Sequence, residues 1–125
     1  MEFTFSGSFK IESDGKNRYK IPACWLKGFT EPLFIYPYHN GNYMISSLAK
    51  VRHFLKGLRE SVDPDFIRLY SFVASKIYEI SLDGEGRIFL PSFKGAITLT
   101  GRGDCVEVIT DNEKGEEGND ETYVT

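Results

Sequence analysis

Two nine-residue stretches decide how this chain is expected to fold: DGKNRYKIP at residues 14–22 and DGEGRIFLP at residues 83–91. They agree at four of nine positions, which are the Asp, the Gly, the Arg and the final Pro. Such a short match is weak by itself, because a chain of 125 residues can produce one by chance. The residues on either side of the two stretches provide the stronger argument.

The flanking apolar residues repeat in the same register. A constant offset of 69 positions relates the two sets, which are Phe9, Ile11, Tyr19 and Ile21 in the first copy and Tyr78, Ile80, Ile88 and Leu90 in the second. Because a slip of one residue turns every strand side chain to the other face, a shared register indicates an internal repeat. Neither unit can bury its apolar face alone, so we expect the two to pair about a pseudo-two-fold axis.

The first repeat is predicted to contain two hairpins. Apolar alternation over 3–11 and 19–21 predicts one of them, closed by a turn rich in Ser, Asp, Gly and Asn. Residues 33–38 and 43–45 predict the other, because the Asn-Gly between them is a strong hairpin-turn signal. A short helical turn is predicted at 23–28.

The second repeat is predicted to follow the same order, with hairpins around the turns at 83–86 and 101–104. Its segment from Pro91 to Asp104 is shorter by six residues than the segment from Pro22 to Gly41 in the first repeat. The helical turn is therefore expected to be truncated or absent in the second repeat.

Two helices are predicted between the repeats. Residues 47–58 carry apolar side chains at helical spacing, and Asp63-Pro64 supplies an N-cap and a first helical residue for another helix. The apolar stripe of this second helix is interpreted as core packing or as a face between protomers. It consists of Phe66, Leu69, Tyr70 and Val73. The predicted order ββ(α)ββ, αα, ββββ belongs to the α+β class, mainly β.

The net charge is divided unevenly along the chain. The whole chain carries −3, whereas residues 111–125 hold six carboxylates against one lysine, a charge of −5, which leaves +2 for residues 1–110. A polar acidic tail buries too little apolar surface to offset its chain entropy, so it is predicted to be disordered. The mildly basic body is compatible with an anionic partner. We also raise the hypothesis that the tail competes with such a partner for the basic body.

At the repeated residues the sequence resembles the MraZ family of bacterial transcriptional regulators, within the AbrB-like superfamily of swapped-hairpin proteins. The first copy matches as Phe5-x-Gly7 and Asp14-x-Lys16-x-Arg18-x-x-Ile21-Pro22-Ala23, and the second as Asp83-x-x-Gly86-Arg87-Ile88-x-Leu90-Pro91. A helix beginning at Pro64-Asp65 also lies where the family places one. The resemblance spans residues 3–110.

The resemblance implies a pseudo-two-fold swapped-hairpin β-barrel built from two AbrB-like repeats, at 1–46 and 77–110, with a helical connection at 47–76 and an acidic tail at 111–125. It implies a sequence-specific regulator that binds double-stranded DNA upstream of division and cell-wall genes as a homo-oligomeric ring. The expected location is the bacterial cytoplasm, at the nucleoid. Departures from the family pattern are Asn17 in place of Gly, Leu26 in place of Arg, and the shortened second repeat.

The candidate DNA-binding residues are the cations of the two units, namely Lys10, Lys16, Arg18, Lys20 and Arg87. The planar guanidinium fork suits phosphate oxygens and the guanine edge. However, each Arg follows an Asp by four residues, so Asp14 and Asp83 are interpreted as partners that lock the loops, a role that can coexist with DNA contact. Lys10 and Lys20 are expected to share a strand face and line one groove.

The first copy is expected to make most of the DNA contact. Its three lysines Lys10, Lys16 and Lys20 correspond to Glu79, Glu85 and Phe89 in the second copy.

No enzymatic activity, cofactor or small-molecule substrate is predicted. His39 and His53 are interpreted as surface residues, because no Cys or acid lies at metal-ligand or triad spacing from them. Cys24 and Cys105 are expected to be reduced and largely buried. No apolar run approaches the ~20 residues that span a bilayer. The alternative function is an oligomeric assembly or protein-interaction module that keeps the fold but has lost DNA binding.

Overall fold

The strands and helices of the chain follow the order predicted from the repeat. The computed structural model describes residues 3–110; the predicted tail at 111–125 lies outside them. The elements are β1 (Ser8–Ile11), β2 (Arg18–Lys20), a 3₁₀-helix (Ala23–Phe29), β3 (Leu33–Pro37), a 3₁₀ turn (His39–Gly41), β4 (Tyr43–Ser46), α1 (Leu48–Arg59), α2 (Pro64–Ala74), β5 (Tyr78–Ile80), β6 (Arg87–Phe89), β7 (Ile97–Gly101) and β8 (Val106–Thr110). The mixed α and β class is confirmed.

Both α-helices begin after an N-cap residue, which is Ser47 for α1 and the predicted Asp63 for α2. The Ser47 hydroxyl accepts a hydrogen bond from the Lys50 amide at 3.4 Å, and the Asp63 carboxylate accepts one from the Asp65 amide at 2.9 Å. Pro64 occupies the first turn of α2, where a backbone N–H would make no hydrogen bond within the helix, so the absence of an N–H in proline costs nothing there. The two predicted helices are therefore confirmed, and they pack against each other.

The eight strands form two antiparallel sheets. One has six strands in the order β1-β7-β8-β4-β3-β5, and the other pairs β2 with β6. The repeat makes β1, β2, β3 and β4 the counterparts of β5, β6, β7 and β8. Exchanging the counterparts gives the same six-stranded order, read from the other edge of the sheet. The pairings β2·β6 and β4·β8 therefore lie on the pseudo-two-fold axis expected from the repeat.

The first strand of each repeat pairs with the other repeat. β1 lies beside β7, with Phe9 opposite Leu99, and β5 lies beside β3, with Ile80 opposite Leu33. Within a repeat, β3 and β4 form the predicted hairpin around the Asn-Gly turn, and β7 and β8 form its counterpart. These two hairpins are confirmed.

The other two predicted hairpins are wrong in their pairing. β1 and β2 lie in different sheets, joined by a single bridge between Ser13 and Tyr19, and β5 and β6 are likewise separated. The predicted strand at 3–11 is also interrupted at Gly7, whose φ of 94° is left-handed, so regular pairing begins at Ser8. The alternation of apolar residues determines which side chains of a strand face the core, but it does not determine which strand lies next to it.

The expected closed β-barrel is also corrected. Within residues 3–110 the six-stranded sheet is open, with β1 and β5 at its edges. β2 and β6 are only three residues long, and the following Pro22 and Pro91 have no N–H with which to extend a ladder. The two short strands consequently form a separate ladder over the core.

Apolar side chains separate onto the two faces of the large sheet. One face packs against the β2·β6 ladder and the 3₁₀-helix, whereas the other packs against α1 and α2. β3 shows the division, because Ile35 belongs to the first cluster and the neighbouring Tyr36 to the second. The eight repeat residues related by the offset of 69 all lie in or against the first cluster, which confirms their prediction as core.

Some burial predictions are wrong. On α2 the predicted stripe packs in the core only in part: Val73 is buried, Leu69 and Tyr70 lie half-buried against the same cluster, and Phe66 is 46% exposed at the helix start. Cys24 is exposed and Cys105 half-buried, and both are free thiols. The two histidines are exposed as predicted, and no helix forms between Pro91 and β7, in agreement with the shortened connection.

Replacing Gly101 by Ala tests the close crossing between the N-terminal segment and β7. A Cβ at Gly101 would lie 2.5 Å from the Phe5 carbonyl carbon, so we expect a loss of ~1–3 kcal/mol in the free energy of unfolding. The matched variant Gly57→Ala meets no atom within 4 Å and should gain ~0.5–1 kcal/mol in α1. Urea unfolding measures both. A Gly101→Ala variant as stable as the parent chain would contradict the crossing.

Candidate nucleic-acid interface

The β2·β6 ladder has one buried and one outward face. Tyr19 and Ile88 stand opposite each other in the register and are fully buried against the core. Because strand side chains alternate, their neighbours project to the other side. This outward surface, which we call the ladder face, consists of Arg18, Lys20, Arg87 and Phe89.

The turn before β2 is held by one carboxylate. Asp14 Oδ1 accepts hydrogen bonds from the Lys16 amide at 2.8 Å and the Arg18 amide at 3.2 Å. The Asp14 amide in turn donates to the Arg18 carbonyl at 3.1 Å. This is the local backbone bonding for which Asp is favoured in turns.

The turn before β6 repeats this arrangement. Asp83 Oδ1 accepts from the Glu85 amide at 2.8 Å and the Arg87 amide at 3.0 Å. The Asp83 amide donates to the Arg87 carbonyl at 2.9 Å. The two nine-residue stretches are therefore equivalent in hydrogen bonding as well as in sequence.

Each turn contains one left-handed residue at the equivalent place. Asn17 has φ of 64° and Gly86 has φ of 77°. Asn is among the few residues with a side chain that adopt this region readily. The Asn17 side-chain amide also donates to the Phe93 carbonyl, which ties the first turn to the second repeat.

The two arginines of the ladder face are engaged to different extents. Arg18 Nε donates to Asp14 Oδ2 at 2.6 Å, and within residues 3–110 its Nη groups have no carboxylate partner. Arg87 Nε donates to Asp83 Oδ2 at 2.9 Å, while its Nη1 lies 3.6 Å from both Asp14 and Glu85. Arg18 thus keeps more donors for an external ligand than Arg87.

Hydrogen bonding lowers the pKa of both turn carboxyls. The backbone N–H of Arg87 contributes most at Asp83, where the pKa falls to about 2. At Asp14 the backbone N–H of Lys16 contributes most, and the pKa lies below its usual value. Both side chains are therefore ionised at neutral pH and remain matched to their arginines.

The charge around the ladder face is nearly balanced. Lys20 Nζ donates to the Glu85 carbonyl oxygen at 3.1 Å, and Lys16 is exposed in the first turn. Two lysines and two arginines therefore lie near three carboxylates. The cations are Lys16, Arg18, Lys20 and Arg87, and the carboxylates are Asp14, Asp83 and Glu85. The surface therefore carries a small positive excess.

Lys10 lies apart from these residues. It is exposed on β1, opposite Thr98, at the edge of the six-stranded sheet. The expectation that Lys10 and Lys20 share one strand face is wrong, because their strands belong to different sheets.

Sequence reasoning missed one exposed aromatic ring on this surface. Phe89 is 55% exposed and stands opposite Arg18 in the ladder. The signal was present in the sequence, because alternation within β6 places Phe89 on the same face as Arg87, two residues earlier. An exposed aromatic beside an arginine is available for stacking or for protein contact.

Comparisons with known proteins add no assignment. A scan against protein-family models finds no match, and a search of curated proteins finds no relative. Within residues 3–110 no three or more His, Cys, Asp and Glu side chains are grouped as a metal site. No helix in that part of the chain has the length and apolar character to cross a membrane.

A carboxyl titration followed by NMR tests the turn geometry. We expect Asp83 to titrate near pH 2, because the hydrogen bond from the Arg87 backbone N–H lowers its pKa from the ordinary value of 3.8 to about 2. The stabilisation from this ionised carboxylate is present above the unfolded-state pKa and is lost as pH falls through the folded-state value. Asp14 should also titrate below its usual range. An ordinary pKa at Asp83 would contradict the hydrogen bonds.

Proposed function

We propose that this chain is a MraZ-like, sequence-specific DNA-binding transcriptional regulator of the bacterial cytoplasm. The observation that carries the proposal is the ladder face, where both repeats contribute cations to one outward surface held by equivalent turns. By the resemblance, its targets lie upstream of division and cell-wall genes.

Strand exchange supports the swapped-hairpin part of the proposal. The first strand of each repeat pairs with the other repeat, and the β2·β6 ladder takes one strand from each. A swapped pair of hairpins requires such an exchange. The open six-stranded sheet shows where this chain departs from the barrel that the resemblance implied.

Binding would combine phosphate contacts with limited base reading. Lys16 and Lys20 are suited to phosphate oxygens, which position a protein on a duplex without specifying sequence. Arg18 has Nη donors beyond its bond to Asp14 and is the better candidate for a guanine edge. Arg87 is held by carboxylates on three sides, so we assign it mainly to maintaining the loop.

The small positive excess at the ladder face implies binding by several copies. One protomer neutralises few phosphates, and linking several copies raises the overall affinity through effective concentration. A homo-oligomer is therefore part of the proposal, and the resemblance implies that it is a ring.

Charge-neutral variants test the ladder face. We expect Lys16→Gln with Lys20→Gln to weaken binding to a duplex and to make the slope of log K against log salt shallower by about 2 per bound protomer. Fluorescence anisotropy at several salt concentrations measures both quantities, and thermal unfolding checks that the fold is kept.

The control removes the same charge elsewhere. Arg68→Gln with Lys76→Gln alters cations in and after α2, on the opposite side of the large sheet. We expect its affinity and salt slope to match those of the parent chain. Equal losses in the two double variants would contradict a specific role for the ladder face.

An assembly or protein-interaction module is the second candidate, favoured by exposed apolar side chains. Phe66 and Ile67 at the start of α2 are 46% and 50% exposed, and Val62 just before it is 95% exposed. Exposed apolar groups clustered in this way commonly mark protein contacts. This candidate predicts self-association without any affinity for DNA.

Solution mass distinguishes the candidates when it is combined with the DNA measurement. We expect light scattering to give a multiple of the 14.2 kDa chain, and Phe66→Gln with Ile67→Gln to lower it. Leu48→Gln, at another exposed apolar site, is the control. An assembled chain that binds no duplex at low salt would favour the second candidate, and a monomer would contradict the oligomer in both.

A further inference from the structure

A basic groove lies between the two helices, away from the ladder face. It has a volume of about 340 Å³ and is lined by Arg52, Leu55, Lys56, Arg59 and Tyr70. The three cations recur at i, i+4 and i+7, so they lie along one side of α1. We call this feature the α1 groove.

The cations of the α1 groove are poorly neutralised. Within residues 3–110, Arg52 and Arg59 have no carboxylate partner, and Lys56 lies 3.9 Å from Glu60 with both side chains about 60% exposed. A helix dipole favours cations in the last turn, which accounts for Lys56 and Arg59 but not for Arg52 in the middle of α1. Like charges at this spacing repel one another, so an anion in the groove would relieve the repulsion.

The chain leaves β8 at the end of the sheet that faces this part of α1. β8 runs antiparallel to β4, beginning beside Ile45 and continuing past Tyr43. At that far end, the Phe54 ring of α1 lies 5.3 Å from the Tyr38 ring. The Tyr38 amide donates to the Asn42 carbonyl, next to Tyr43 in the chain. The end of β8 and the C-terminal half of α1 are therefore on the same side of the molecule.

The segment that follows β8 has the complementary charge. Residues 111–125 carry −5, from Asp111, Glu113, Glu116, Glu117, Asp120 and Glu121 against Lys114. Fifteen residues reach up to about 50 Å when extended, which is ample for a groove on the same side. We propose that residues 111–125 dock in the α1 groove of their own chain, with their carboxylates against Arg52, Lys56 and Arg59.

This docking would set which surface is available to nucleic acid. α1 and the ladder pack on opposite faces of the large sheet, so a tail in the α1 groove leaves the ladder face open. The same tail covers the cations that would otherwise attract phosphates without specificity. The inference is independent of the proposed function, because it concerns a different surface and an intramolecular contact.

Carbodiimide cross-linking of the full-length chain tests the proposal, since this reagent joins an amine to a carboxylate in contact with it. At low salt we expect Lys56 to be joined to Glu113, Glu116, Glu117 or another carboxylate of 111–125, as identified by peptide mass. The Lys56–Glu60 link is the internal reference for amine reactivity. A mixture of ¹⁴N and ¹⁵N chains distinguishes links within a chain from links between copies.

Two matched variants define the outcome. The double variant Arg52→Gln with Arg59→Gln keeps the reactive amine of Lys56. It should lower the yield of tail links about threefold, because it removes two exposed ion pairs of ordinary strength. Arg68→Gln with Lys76→Gln removes the same charge elsewhere and should leave the yield unchanged. High salt should also lower it, through screening.

Three results would overturn the proposal. The first is a tail that links to Lys16 or Lys20 in preference to Lys56, which would support competition at the ladder face. The second is a set of Lys56 links found only between differently labelled chains. The third is an absence of tail links at Lys56 while the Lys56–Glu60 link still forms. If the groove variant then also binds duplex DNA less tightly, the α1 groove would be assigned to nucleic acid.

Discussion

The fold depends on burying Tyr19 and Ile88 against each other and the core. Each repeat contributes one of these residues, both are fully buried, and they face each other across the β2·β6 ladder. A three-residue strand cannot be stable without a partner, so the two repeats must share the ladder and exchange their first strands. The same pairing turns Arg18, Lys20 and Arg87 outward, which is why the candidate site exists only when both halves are folded together.

The turns that carry these cations also limit their charge. One oxygen of Asp14 or Asp83 accepts two backbone N–H groups, and the other accepts from an arginine. The carboxylates needed for the turn geometry thus neutralise much of the guanidinium charge nearby. A regulator with this construction would gain affinity from the number of copies bound and would gain specificity from the few donors left uncommitted, such as the Nη groups of Arg18.

Much of the fold was predictable from local patterns, and the remainder depends on contacts distant in sequence. The offset of 69 identified the core residues of both repeats, apolar spacing located α1, and Asp63-Pro64 located the start of α2. The partners of β1 and β5 were not predictable, because alternation determines a face and not a neighbour. At the site, the Asp–Arg spacing predicted the two turns, and alternation within β6 was enough to place Phe89 on the outward face. The approach of Arg87 to Asp14 was not predictable, because it forms only when the two repeats meet.

Hydrogen–deuterium exchange of the full-length chain, with and without a duplex at low salt, tests the central claim most directly. Bound DNA should slow amide exchange in peptides covering 14–20 and 83–89, which carry the ladder face, and leave α1 and α2 unchanged. Slowing confined to the helices, or no change anywhere at saturating duplex, would contradict a nucleic-acid interface on the ladder face.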